Sequence, residues 1–311
     1  MQQQSDRRRF TAPEGAAPVR WVDAAPSAAS TSTSSPSRAV QAAELIKAGK
    51  RADGRQGLEV RPVFLQPGLV TEAAGSAYIE AGRTKLLCAV YGPKPTPPSA
   101  PFNPKARLNV EVKFAPFASG VRRFVPGKDT EATALATLLH QSLLPALLLD
   151  LLPKSQIDLF VTVLESDGWD GDLSLGVTAA SVALAEAGIA MKGLVVGCSA
   201  ALLPSSPSSA PTSSPAPQTV TLLDPTRPEV RAASAFLSFA CIPALGTVTS
   251  LRVNGVVAPA VLGEVTQKAF EVCGLLHGVA KQALVQSAEA AAAVAAAGGG
   301  GGAGEGAGGG Q

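Results

Sequence analysis

The sequence predicts an α+β domain: a β-α-β-α core with mixed sheets packed against helices. Three observations carry this prediction. Strand-like runs come in groups rather than alternating singly with helices. Two helical stretches, Glu131–Leu152 and Thr178–Ala187, interrupt those groups. A long amphipathic helix, Val265–Ala296, closes the pattern, with Val265, Ala269, Val272, Cys273 and Leu276 at helical spacing. A doubly wound nucleotide fold would alternate strand and helix throughout.

The elements follow in order. In GSAYIEAGRTKLLCAVYG (75–92), two strand-like runs flank a turn at Ala81–Gly82, which predicts a hairpin. Leu108, Val110, Val112 and Phe114 alternate with Asn109, Glu111 and Lys113, the pattern of a strand with one wet face. Glu131–Leu152 reads as a single buried helix. QIDLFVTVLES is apolar on both faces and so is expected inside a sheet. Thr178–Ala187 is a helix of small residues that stops at Gly188. LVVGCSAALL, TVTLLD, AFLSFACI and TVTSLRVNGVV are further strands.

Composition sets the boundaries. Residues 1–40 are dominated by Ala, Pro and Ser and are expected to be disordered, as is the Gly-rich tail 297–311. The domain is placed at 41–296. Loop insertions are expected at 92–104 and 203–218, where Pro and Ser are too dense for a sheet interior. The N-terminus lacks the apolar stretch of a secretory signal. The strongest apolar run, Leu138–Leu152, is shorter than the about 20 residues of a membrane span and contains Pro145 and Asp150.

With 26 basic and 24 acidic residues, wholesale electrostatic binding of nucleic acid is excluded, though a local basic patch is not. Cys88, Cys198, Cys241 and Cys273 sit singly in apolar runs and are expected to be buried free thiols. His140 and His277 lie in helix-like segments, and neither a metal nor a cofactor is expected.

Few motifs suggest chemistry. Arg122, Arg123 and Lys128 lie in a Gly/Pro-containing loop just before a helix, where three cations and a helix N-terminus could contact the phosphates of RNA. DGWDGD (167–172) is expected to be a solvated turn between a strand and a helix, because its three aspartates would repel phosphate. LLDPTRPEV (222–230) runs an apolar strand into Asp224, a carboxylate that could bind a metal or move a proton if it had companions.

Several stretches in series resemble the RNase PH-like family, the fold of phosphorolytic exoribonucleases and of the RNA exosome ring. Arg51–Lys94 carries D-G-R, R-P, G-S-A and G-x-T-K…YGP elements in order. Leu152–Gly168, Thr178–Leu202 and LLDPTRPEV continue the match. Departures from the family pattern bear on activity. Active members hold phosphate with an arginine in the turn after the central strand's Asp-Gly, and DGWDGDLSLG (167–176) has none. They also carry an arginine pair before the first long helix, where Lys128 and Asp129 stand here. Val230 and Phe236 occupy places where further carboxylates are expected.

The resemblance therefore implies a non-catalytic ring subunit that supports 3'-to-5' RNA processing and helps form the RNA channel. Asp224 would be a degenerate catalytic remnant, capping a strand end against a backbone N–H or Arg227. The implied partners are other RNase PH-like ring subunits, cap subunits with RNA-binding modules, and RNA, with no membrane. The implied location is nucleus, nucleolus and cytoplasm. The alternative is an active phosphate-dependent exoribonuclease, for which Asp224 is the one favourable residue.

Overall fold

The computed structural model describes residue 51 and residues 53–97, 103–119, 129–204 and 219–298. Its first sheet has the order β1-β2-β3-β5-β4, built from β1 (Val63–Pro67), β2 (Gly75–Ala81), β3 (Thr84–Pro95), β5 (Ser155–Glu165) and β4 (Arg107–Phe114). All pairs are antiparallel except β4 with β5. The second sheet is antiparallel, in the order β7-β6-β8-β9: β7 (Thr219–Leu223), β6 (Val196–Pro204), β8 (Ala235–Ile242) and β9 (Thr247–Gly255). Helices α1 (Thr130–Leu143), α2 (Trp169–Glu186), α3 (Arg227–Ala232) and α4 (Pro259–Gly298) complete the fold.

Helix α2 is the centre of the packing. Its small residues, Val177 through Leu184, are buried almost without exception. Gly75 on β2 and Gly197 on β6 let its backbone come close. A Cβ on Gly75 would sit 2.3 Å from the Ala183 carbonyl oxygen, and one on Gly197 would sit 2.4 Å from that of Ser174. One helix thus lies against both sheets, and only glycine fits at the two contacts. The outer layer is α4, whose Val265, Ala269 and Cys273 bury against Cys198, Leu237 and Phe239 of the second sheet. All four cysteines are free and buried.

The structure departs from the expected elements at several places. Glu131–Leu152 is not one helix. α1 ends at Leu143, and two 3-10 turns, Leu144–Ala146 and Leu149–Leu151, follow. Pro145 supplies no N–H and its ring would clash with the preceding turn. Helix α2 begins at Trp169, nine residues before the expected Thr178, so DGWDGD runs into a helix rather than forming a free turn. The proposed insertion at 92–104 begins too early, since β3 runs through to Pro95. Strand β2 ends at Gly75, opposite Val90, and beyond that point β3 has a neighbour only on its β5 side, where prolines are tolerated. Likewise Leu203 and Pro204 belong to β6 and pair with Val220 and Thr219. Helix α4 starts six residues early, at Pro259, a residue suited to a first turn. Of the expected disordered tail 297–311, residues 297 and 298 belong to α4; residues 299–311, the expected segment 1–40 and the loop carrying Arg122, Arg123 and Lys128 lie outside the described residues.

Before β1, the chain is fastened to the second sheet. Arg51 donates from Nε and Nη2 to the two carboxylate oxygens of Glu229, and from Nη1 to the Leu223 carbonyl at 2.7 Å. Its Nη2 also donates to the Asp224 carbonyl at 2.8 Å. Glu229 in turn accepts from the Thr226 N–H at 2.7 Å, closing a capping box on the short helix α3. Both side chains of the pair are about 1% exposed. Removing one partner would strand a buried charge, at a cost of about 3–5 kcal/mol, whereas replacing both with apolar residues of similar volume avoids that cost. Glu229→Ala should therefore destabilise the protein by that amount in denaturant unfolding. Arg51→Met combined with Glu229→Leu should recover most of the loss.

Candidate functional site

A cleft of about 1050 Å³ opens beside the N-terminus of α2. Its lining comes from the segment before β1, the ends of β4 and β5 and the turns after them, the first turns of α1 and α2, helix α3 with Pro225 before it, and β9. The turn after β5 brings Ser166, Asp167 and Gly168. Trp169, Asp170, Gly171 and Asp172 follow from α2. Arg227, Val230 and Arg231 project from α3, and Arg252 and Asn254 from β9.

Asp224 is held at the edge of this region. It follows β7 with a φ of 47°, the left-handed conformation that Asp tolerates better than most residues. The Asp224 N–H donates to the Ser199 carbonyl at 2.8 Å. The Asp224 carboxylate accepts from the Arg61 N–H at 3.0 Å and from Arg61 Nε at 2.7 Å on one oxygen, and from Arg61 Nη2 on the other. Arg55 approaches the same carboxylate at 3.5 Å. Of the two expected partners, the backbone N–H is present, supplied by Arg61, and the side chain that joins it is that of Arg61 rather than Arg227. Burial works against the ionised carboxylate, but the Arg61 hydrogen bonds and charge outweigh it and hold Asp224 below the usual carboxylate range. With both oxygens occupied, Asp224 is a poor metal ligand. Among the described residues, no three metal-binding side chains converge anywhere.

The DGWDGD segment is not solvated as expected. Asp172 is only 1% exposed. Its Oδ2 accepts from the Ser166 hydroxyl at 2.6 Å, while its Oδ1 has no hydrogen-bond partner. Burial pushes its carboxyl up to about 7, against the opposing hydrogen bond of Ser166 and charge of Arg61. Burial also raises Asp170 to about 6, partly relieved by Arg252. Asp167 pairs with Arg61 at 3.4 Å, and burial still raises it. The first turn of the helix therefore carries the chain's own acids, Asp170 and Asp172, beside a Gly168 N-cap that makes no side-chain cap hydrogen bond.

The remaining expected site residues separate clearly. Asp129 caps α1, its carboxylate accepting from the Glu131 N–H at 3.0 Å. Phe236 is 6% exposed and packs with Ala201, Ala233 and Val230. Where a catalytic carboxylate was expected, there is apolar core. The sequence pattern assigned no role to Arg51, Arg61, Arg231 or Arg252, and it paired Arg227 with Asp224. Arg51 and Arg61 lay in the matched N-terminal stretch, and Arg227 and Arg231 stand four apart on one helix, a spacing that puts both on one face.

The two buried aspartates have opposite effects on stability. Asp172 keeps a proton in the folded state that the unfolded chain has lost above about pH 4, so its contribution falls as pH rises from about 4 to about 7. Asp224 stabilises above the ordinary carboxylate pKa, and this is lost as pH falls through its lowered value. Asp172→Asn should therefore gain stability over the parent as pH goes from about 5 to about 8, measured by denaturant unfolding. Asp224→Asn should be most destabilising at neutral pH and approach the parent in acid.

Residues 59–190 match the RNase PH 3' exoribonuclease family, domain 1. The chain is 37% identical over 247 residues to exosome complex component MTR3 of Homo sapiens, covering 75% of this chain and 86% of that protein. It is 33% identical over 237 residues to exosome complex component Rrp41 of Methanopyrus kandleri, covering 76% and 92%. With Rrp41 of Thermococcus kodakarensis it shares 43% identity over 153 residues, and there the match spans only 60% of the relative's length. The crystal structure of rice (Oryza sativa) Rrp46 has the same fold, with a TM-score of 0.63 at 22% identity, over 75% of this chain and 99% of that one. The family match and these relatives agree: the chain belongs to the RNase PH family of 3' exoribonucleases.

Proposed function

We propose that this chain is a non-catalytic structural subunit of an exosome-type ring, supporting 3'-to-5' RNA processing and degradation by the assembly. One observation carries the reading: the first turn of α2, where the family pattern calls for a phosphate-holding arginine, presents Trp169, Asp170 and Asp172 instead. A phosphate nucleophile must be fixed in line with the scissile bond by positive charge. Here it would meet carboxylates. The carboxylate best placed by sequence for catalysis, Asp224, already serves Arg61. The position of a second is Phe236, in the core.

In this reading the partners are other RNase PH-fold ring subunits and cap subunits bearing RNA-binding modules, in nucleus, nucleolus and cytoplasm. Similarity to MTR3 supports it. The loop residues Arg122, Arg123 and Lys128 precede α1 in the chain and contact RNA along the channel in this account.

Two measurements test the proposal. The purified chain, given RNA with a free 3' end, inorganic phosphate and magnesium, should release no nucleoside diphosphates. Phosphate-dependent release that disappears in Asp224→Ala would overturn the non-catalytic reading. Changing Arg122 and Arg123 together to Glu should weaken RNA protection by the assembled particle while leaving its mass unchanged. An unaltered footprint would remove them from the RNA path.

A further inference from the structure

Strand β9 is one end of the second sheet. It pairs with β8 on one side, and on the other no strand among the described residues meets it. Every second residue of an edge strand turns its N–H and C=O away from its one neighbour, so an unblunted edge is a template for another strand. The other three edges are blunted. β1 and β7 are each five residues long, and β1 ends at Pro67. β4 carries the charged side chains Arg107, Glu111 and Lys113. β9 has nine residues, no proline and a single charge. That charge, Arg252, lies with its guanidinium 4.9 Å from the Trp169 ring centroid.

The same edge is apolar. Val248, Leu251 and Val253 lie opposite Cys241, Phe239 and Leu237 of β8. Those three β8 residues are buried in the core that Val265, Ala269 and Cys273 of α4 complete. Val248, Leu251 and Val253 share that face of the sheet but are exposed, because α4 packs on β6 and β8. Val256, just past the strand, is 97% exposed. A row of apolar side chains thus borders the free backbone groups.

We propose that the outer edge of β9 joins this chain to a neighbouring subunit, through an extended strand of that neighbour that adds to the second sheet. The proposal rests on the reading of the chain as a ring subunit, and it names the surface and the kind of contact. Backbone chemistry selects the occupant. Another polypeptide strand offers donors and acceptors alternating at the spacing of a strand edge. An RNA backbone offers repeated negative charge, to which the apolar row gives no counterion. The incoming strand carries apolar residues at every second position, on the face that meets Val248, Leu251 and Val253.

The test compares the isolated full chain with the chain in its native particle. Hydrogen exchange is read on Thr247–Gly255 in both. In the isolated chain, alternate amides of β9 should exchange quickly, as those of an open edge do. In the particle the same amides should exchange at least about tenfold more slowly. Leu251→Lys with Val253→Lys puts two charges on the edge, a device by which natural proteins keep edges apart. Both side chains are exposed, so the isolated double variant should keep the parent's circular dichroism. Its share of the particle, in competition with the parent, should fall at least about tenfold. Equal exchange in the two settings, or a double variant that enters the particle as well as the parent does, would overturn the proposal. So would slow exchange in the isolated monomer, which would mean that another segment of the chain already covers the edge. An isolated dimer that the double variant splits would make the occupant a second copy, and would overturn it too. If the parent enters no particle, the ring-subunit reading falls and the proposal with it. If the parent enters and the edge stays open, the proposal falls alone.

Discussion

The junction between β7 and α3 depends on two arginine–carboxylate pairs. Arg61 grips the Asp224 side chain, and Arg51 grips Glu229 while also reaching the Asp224 and Leu223 carbonyls. Both arginines come from the segment that leads into the first sheet, whereas both carboxylates follow β7 of the second. The pairs are therefore long-range fasteners that hold two sheets in register around α2. The Arg51–Glu229 pair is fully buried, so a lone survivor of it would be an uncompensated charge in the interior, whereas the part-buried Arg61–Asp224 pair has Asp167 and Arg55 beside it. The left-handed turn at Asp224 persists because those contacts over-determine it.

This constraint explains how a catalytic framework can outlast catalysis. Asp224 stands at the end of a strand next to a cleft, as a catalytic carboxylate would. Its oxygens, however, are committed to the arginine that ties the N-terminal segment down. Losing the neighbouring carboxylates to Val230 and Phe236 does not unfold the site, because Phe236 adds apolar core and Val230 packs beside it. Losing Asp224 or Glu229 would unfasten the sheets. Selection on folding alone is enough to retain them, and a carboxylate in a familiar place is not by itself a sign of activity.

Much of the fold could be read from local pattern. The β2–β3 hairpin, the alternating β4 and the strands of the second sheet all appear where periodicity placed them. Two of the misread elements share one cause: tertiary context overrode a local signal. Prolines in β3 are acceptable only because β2 has already ended, which no local window shows. The acidic start of α2 looked like a solvated turn because three aspartates in six residues suggest water, yet Asp172 is buried under the helix it begins. Pro145 was a legible stop that the long apolar run obscured. At the site, the missing phosphate arginine was plain in the sequence. The pairings of Arg51 and Arg61 were not, because their partners lie more than 150 residues away.

The claim most worth testing is that Asp224 is a fastener and not a catalytic group. A double-mutant cycle on Arg61→Met and Asp224→Asn, followed by denaturant unfolding at neutral pH, measures it directly. The account predicts that each single variant is destabilised and that the double variant loses less than their sum, with a coupling of at least about 1 kcal/mol. Additive effects, or an Asp224→Asn variant as stable as the parent, would contradict it.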